Sequence, residues 1–392
     1  MSILVVRFFP TLLFGFLGTL SIFTDGWSRL FVPTMHPSFG DLRSITSTAE
    51  CFALDSTWSY TTESCDPWQR KYNYPIIWIK TFSFLGLRQS HTFALGVAIF
   101  FILLCTLLYW NLKIIGTKFE FWQVASLTTI YISPPLLLLV ERGNTDSLIF
   151  ALLTLLTSVR KKIGPIFFST ALAFLSYFKL FVVGAMVIVF CTERKWQLRI
   201  FHIALFATVL LALKDELPYI RNFTAVTFWT SFGISVVPLG LALVTTAQIS
   251  AIQSFAIGLF LMAVIILFLS SLLNKRYIKL NTLNSLNLEE IRVVSMYFGV
   301  LLFSFLAGSS YDYRMVFLIP IMLLVTSEKS CIEWKKSFAM LIISVMYLSR
   351  LGVYSLVGDL LFAILLCHLL VIFAILMLRI TKLSKVDSEN DQ

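Results

Sequence analysis

Long apolar runs constrain the fold of this chain more than any other feature. Residues 91–112, 251–273 and 355–378 each approach or exceed the roughly 20 apolar residues that cross the hydrocarbon core of a bilayer. The chain of 392 residues is 58% hydrophobic and only 13% charged, which is more apolar than an ordinary water-soluble domain. The runs therefore predict an all-α, polytopic integral membrane protein.

Basic residues predict the orientation of these runs. They concentrate in short connections, and positive connections stay on the cytoplasmic side. The connections contain Lys113 and Lys118, Arg160 to Lys162, Arg194 to Arg199, Lys275 to Lys279, and Arg379 to Lys385. The first run, 2–23, has no small-residue cleavage site after it and is expected to remain as the first helix.

The resulting topology is one membrane domain over residues 1–386 with a disordered polar tail at 387–392. It has about 12 transmembrane helices, some of them short or broken, because a run near 163–193 is too long for one upright span and must cross an even number of times. Both termini are expected in the cytoplasm. An external loop at 24–90 is expected to contain amphipathic helices.

A formal net charge of +10 is explained by this bias, because no nucleic-acid motif or folded basic face accompanies it. We therefore expect membrane lipids as partners and no nucleic acid. No metal-binding, P-loop or dinucleotide motif occurs in a supporting context, and the four histidines are dispersed. The sequence thus predicts no metal site and no definite cofactor, and it leaves a divalent metal open.

Polar clusters beside the apolar runs are the main indication of function. The clusters are GDLRS around Asp41 and the segments 65–75, 141–146 and 309–314. All of them fall on the external side of the predicted topology. Burying a charge in lipid costs about 2.5–3.5 kcal/mol on insertion scales, so such groups are kept at a water-facing surface or in a working cavity. We expect the clusters to form one site.

Asp41 precedes the segment 42–54, which is expected to form an amphipathic helix. A carboxylate there can act as a general base that takes a proton from an acceptor hydroxyl. The alternative is a helix cap without a catalytic role. Lys179 has strongly apolar neighbours, lies where two short helices are expected to meet, and is predicted to point into a cavity.

The remaining candidates divide into cations and supporting polar or aromatic residues. Cations that can bind a donor phosphate are Arg70, Arg142, Lys179 and Arg314. Candidates for supporting the substrate are Trp68, Tyr74, Asn144, Asp146 and Asp312. The alternatives are a solvated charge for Arg70, pairing with Asp312 for Arg314, helix capping for Asn144 or Asp146, and an interfacial aromatic belt for Trp68 and Tyr74.

Four short motifs carry a resemblance to a known family. They are DLR at 41–43, YP at 74–75, RGN at 142–144 and KLF at 179–181, with a weaker YDYR at 311–314. With these motifs the chain resembles glycosyltransferase family 87, in the membrane-embedded C superfamily. The resemblance implies a C-superfamily-like fold and inverting transfer of a sugar from a polyprenyl phosphate donor to a lipid or glycan acceptor. It also implies that Asp41 is the catalytic aspartate of the first external loop.

The sequence also leaves alternatives open. A transporter or flippase for a lipid-linked or small polar substrate would equally use Lys179 and broken helices. Cys51 and Cys65 lie in the external loop and can form a disulfide or remain free thiols. The expected location is the plasma membrane of a bacterium, the inner membrane where there are two, with multiple passes.

Overall fold

The computed structural model describes residues 3–55, 57–60, 65–114, 121–193, 195–224, 231–232, 288–306, 310–327, 332–348 and 357–370, with a few isolated residues at 236–261 and 373–374. This part of the chain is helical. Its one strand pair, Ser231–Phe232 with Ser310–Tyr311, is antiparallel and two residues long. The predicted all-α class is therefore confirmed.

The helices follow the chain in a simple order. The N-terminal helices are α1 (Ile3–Thr24), α2 (Gly40–Leu54), α3 (Ile76–Phe84), α4 (Thr92–Ile114), α5 (Phe121–Tyr131), α6 (Pro134–Glu141) and α7 (Asp146–Phe178). They are followed by α8 (Val183–Thr192), α9 (Trp196–Leu213), α10 (Leu217–Phe223), α11 (Leu288–Leu306), α12 (Leu318–Ser327), α13 (Ile332–Leu348) and α14 (Val357–Leu370). Short 3-10 helices include Gly26–Leu30, Gln89–His91, Leu180–Val182 and Asp312–Phe317.

Within the described ranges, three helical stretches are long and apolar enough to cross a membrane: Arg7–Thr24, Gln89–Lys113 and Trp196–Leu213. A fourth results if α5 and α6, which meet at an angle of 42°, form one broken span. These stretches agree with a membrane protein. Most of the ambiguous stretch 229–247, most of 251–273 and the tail 387–392 lie outside the described residues.

A sharp reversal divides α7 into two helical arms. The backbone at Gly164 has φ 73°, a conformation that glycine adopts without the Cβ penalty, and Pro165 then begins the second arm. A straight helix of this length would separate its ends by about 50 Å. Instead Asp146 at the start and Lys179 just after the end are in contact, so the arms fold back on each other. The reversal follows the basic residues 160–162, where the sequence predicts a connection between spans.

The chain breaks again at Lys179, as predicted from the two short helices expected there. Lys179 has extended backbone angles between α7 and the turn Leu180–Val182, after which α8 begins. Helix α8 packs closely on α11 because Gly184 and Gly299 face each other, and a Cβ on Gly184 would overlap the Gly299 carbonyl. Small residues permit this close approach of two apolar helices.

In the segment 24–90, helices α2 and α3 pack on each other. Helix α2 confirms the amphipathic helix expected after Asp41. A disulfide joins Cys51 in the last turn of α2 to Cys65, so the oxidised alternative is the one observed. Four aromatic side chains of this segment are buried against one another: Trp58, Tyr60, Tyr72 and Tyr74.

Candidate functional site

The start of α2 is docked on the RGN turn between α6 and α7. The backbone N–H of Asp41 donates to the carbonyl oxygen of Arg142 at 3.0 Å, and the N–H of Phe39 donates to that of Glu141 at 2.9 Å. The first N–H groups of a helix have no partner inside the helix, so these carbonyls satisfy them. Gly143 adopts φ 57° directly beneath Phe39, where a side chain would crowd the ring. This docking determines where Asp41 lies.

The Asp41 carboxylate is directed at other elements rather than at its own helix. Its Oδ2 accepts a hydrogen bond from Asn144 Nδ2 at 2.7 Å, and its Oδ1 lies 3.4 Å from the Arg70 guanidinium. The side chain keeps 15% of its surface exposed. The exposed part leaves room for a reacting group. The helix-cap alternative does not describe these contacts.

Asn144 bridges the Asp41 side of the site to the rest of it. Its Nδ2 also donates to the hydroxyl of Tyr74 at 3.2 Å, while its Oδ1 accepts from the backbone N–H of Asp146 at 2.9 Å. The side chain is fully buried. The amide oxygen of Asn144 supports the start of α7, as the capping alternative predicts, and the amide nitrogen holds Asp41. Its support of a substrate stays a prediction.

Asp146 holds two cations from distant parts of the chain. Lys179 Nζ lies 2.7 Å from Oδ1 and Arg314 Nε lies 3.2 Å from Oδ2, while Asp146 itself is fully buried. The two cations share this carboxylate. Lys179 also lies 4.4 Å from the ring centroid of Tyr74, and Arg314 lies 4.7 Å from that of Phe181. Such a pair is suited to a phosphate group.

Arg70 belongs to the opposite, acidic side of the site. Its guanidinium makes hydrogen bonds to both carboxylate oxygens of Asp66, the shortest at 2.7 Å, and lies over the ring of Trp68. Burial lowers the pKa of Arg70, but the hydrogen bond to Asp66 and the charges of Asp41 and Asp66 outweigh it, so the pKa is raised from its ordinary value. In this arrangement Arg70 contacts carboxylates, and its predicted contact with a phosphate stays a prediction.

The remaining candidates lie at the edge of the site. The Arg142 guanidinium pairs with Glu141 at 3.1 Å, so Arg142 contributes to the Asp41 side mainly through its backbone carbonyl. Trp68 Nε1 donates to the His36 carbonyl at 3.2 Å. Arg314 contacts Asp146, and its predicted pairing with Asp312 stays a prediction because the side chain of Asp312 lies outside the described part.

Several residues of the site are missing from the sequence-based prediction. Asp66 is one, although it lies within a polar cluster; Glu141 is another, and it accepts the Met35 N–H at 2.7 Å. Glu216 accepts from the Tyr60 hydroxyl at 2.9 Å and from the N–H of Ile76 at 2.8 Å, which ties α10 to the segment that carries Tyr74. Glu216 is remote in sequence from its partners, so no local pattern indicates it.

Among the residues that the structure describes, no three His, Cys, Asp or Glu side chains are grouped so as to hold a metal ion. Comparisons with protein-family models, with curated proteins and with solved structures find no match to this chain.

Proposed function

We propose that this chain is a membrane glycosyltransferase of the C-superfamily type, resembling family 87. It transfers a sugar from a polyprenyl phosphate donor to a hydroxyl of a lipid or glycan acceptor at the extracytoplasmic face of a bacterial plasma membrane. The positive-inside rule predicts about 12 crossings with both termini in the cytoplasm. In that predicted topology the site lies on the extracytoplasmic face. The observation that carries the proposal is that the partly exposed Asp41 carboxylate is connected through Asn144 to Asp146, which holds Lys179 and Arg314.

The two ends of the site match the two ends of the reaction. Asp41, at the acidic end, takes the proton of the acceptor hydroxyl while the acceptor oxygen bonds to the anomeric carbon. The bond from that carbon to the phosphate oxygen breaks on the opposite side of the sugar, so the configuration inverts. Polyprenyl phosphate leaves with one additional negative charge.

The cationic end stabilises this leaving group. Lys179 and Arg314 both contact Asp146, which holds the two cations in place before the substrate arrives. Fixed charges directed at developing negative charge need no rearrangement during the reaction and can therefore contribute strongly to rate. Asn144 and Tyr74 connect the two ends and maintain the distance between them.

The test uses Asp41→Asn, which keeps the size of the side chain and removes its basicity. Membranes containing the variant are incubated with radiolabelled polyprenyl phosphate hexoses and pentoses, and labelled glycolipid is measured. Loss of a general base predicts a decrease in turnover of about 10²-fold or more. Asp55→Asn is the matched control, because Asp55 is an exposed carboxylate of the same segment that contacts only Thr57 among the contacts described. Unchanged turnover in Asp41→Asn would exclude the mechanism.

A transporter or flippase is the second candidate, and a specific observation favours it. Asp146 is fully buried between two cations at a break between helices, and such ionisable groups also line translocation pathways. Reconstituted vesicles distinguish the two functions. A flippase moves a fluorescent polyprenyl phosphate sugar between leaflets intact, whereas the transferase releases polyprenyl phosphate and requires an acceptor.

A further inference from the structure

Arg70 is held much more firmly by Asp66 than by Asp41. Its Nε lies 3.2 and 3.1 Å from the two Asp66 oxygens and its terminal nitrogen lies 2.7 Å from one of them, compared with 3.4 Å to Asp41. The Asp66 side chain is only 1% exposed, and its Oδ1 also accepts the backbone N–H of Trp68 at 2.8 Å. The same guanidinium donates to the carbonyl of Gly40 at 2.5 Å, directly before Asp41.

The disulfide fixes Asp66 relative to the helix that carries Asp41. Asp41 lies in the first turn of α2 and Cys51 in its last turn, about 15 Å further along the axis. Cys65 is bonded to Cys51 and precedes Asp66, and the stretch from Cys65 to Arg70 reaches at most about 18 Å when extended. The stretch turns at Asp66–Gln69, where the N–H of Gln69 donates to the Asp66 carbonyl at 2.8 Å, and the Arg70 side chain reaches the start of α2 at Gly40. The disulfide holds one end of this stretch on α2 at Cys51. The hydrogen bond from Arg70 to the Gly40 carbonyl holds the other end at the start of α2.

We infer that Asp66 is a positioning residue for Asp41, acting through Arg70, and that the Cys51–Cys65 disulfide keeps it in register. The inference rests on the proposed function of Asp41 as the base. A guanidinium fixed beside the carboxylate restricts the orientation of the carboxylate. Asp66 itself touches no substrate in this arrangement. Its effect reaches the reaction only through the guanidinium that it holds.

The first experiment compares Asp66→Asn with the matched control Asp55→Asn in the glycolipid assay. Asp66→Asn is expected to lower kcat roughly tenfold to hundredfold, the range for loss of a hydrogen bond to a charged group, with little change in KM, and Asp66→Glu, which keeps a carboxylate for Arg70, is expected to recover part of the rate. Asp55→Asn is expected to leave kcat and KM unchanged. A lower rate in Asp66→Asn that Asp66→Glu does not recover would show that Asp66 only supports the fold, and it would overturn the inference.

The second experiment does not depend on folding of a variant. Purified, folded protein is treated with a phosphine reductant, and its elution volume is compared before and after to show that it stays folded. Reduction is expected to lower kcat with little change in KM, as for Asp66→Asn, and Cys51→Ser with Cys65→Ser is expected to do the same. Cys191→Ser is the control, since Cys191 is exposed and unpaired with another cysteine.

The outcomes separate this inference from the proposed function. Full activity in Asp41→Asn would reject the function and with it the inference. An inactive Asp41→Asn together with unchanged rates in Asp66→Asn and in the reduced protein would reject only the positioning role.

Discussion

Asp146 is the residue whose removal is expected to disturb the site most. Asp146→Asn leaves Lys179 and Arg314 close together and without the carboxylate that lies 2.7 and 3.2 Å from them. Removing one partner of a buried ion pair costs about 3–5 kcal/mol, because the remaining charge stays buried without compensation. Lys179→Met is milder, since Asp146 keeps Arg314, and the expected cost is about 1.5–3 kcal/mol, as for a charged hydrogen bond. The combination Asp146→Asn with Lys179→Met also removes one of the two cations that contact Asp146. This double variant should therefore be more stable than Asp146→Asn alone.

Thermal unfolding of the detergent-purified proteins, followed by tryptophan fluorescence, measures this order. Asp146→Asn is expected to lower the midpoint by roughly 5–10 °C, Lys179→Met by less, and the combined variant by an intermediate amount. Asp55→Asn is the control for loss of a carboxylate at the surface. An unchanged midpoint in Asp146→Asn, or a combined variant less stable than Asp146→Asn, would refute the assignment of a buried ion triad.

Two further predictions concern the contact between α8 and α11 and the hydroxyl of Tyr60. Gly184→Leu is expected to prevent α8 from contacting α11 and to reduce the yield of folded protein in size-exclusion chromatography, whereas Ala204→Leu on the exposed side of α9 is expected to have little effect; equal yields would contradict the close packing. Burial, followed by the charge of Glu216, raises the pKa of Tyr60 above its ordinary value of 10.0, so the stability from the neutral hydroxyl is present below about pH 10 and is lost as the pH rises beyond it. Tyr60→Phe should be less stable at neutral pH but lose less stability in alkali, measured as unfolding midpoints across this range; an identical alkaline loss would contradict it.

Local sequence patterns were sufficient to predict the helices and breaks that carry the residues of the site. The helix after Asp41 and the break at Lys179 follow from apolar spacing and from a lysine that lipid does not tolerate. The expectation that distant polar clusters meet came from charge bias, and the contacts from Asp41 through Asn144 to the Asp146 pair agree with it.

Individual partners could not be predicted in the same way. One interpretation of the sequence pairs Arg314 with the nearby Asp312. The contact that the structure describes is with Asp146, at the start of α7. Arg70 was assigned to phosphate, yet its closest contacts are to Asp66. Both cases have the same cause, because several carboxylates are available to each cation and sequence proximity does not rank them.

The amino-acid sequence by itself determined that the chain is helical and apolar, where its helices are interrupted, and which polar residues are costly to bury. The tertiary structure alone decided which of these residues touch. Hydrogen bonds and ion pairs act over about 3 Å, whereas apolar periodicity specifies only a helix face. The reversal at Gly164 and the contact of Gly184 with Gly299 supply the missing positions, since they bring Lys179 back to Asp146 and set α8 against α11.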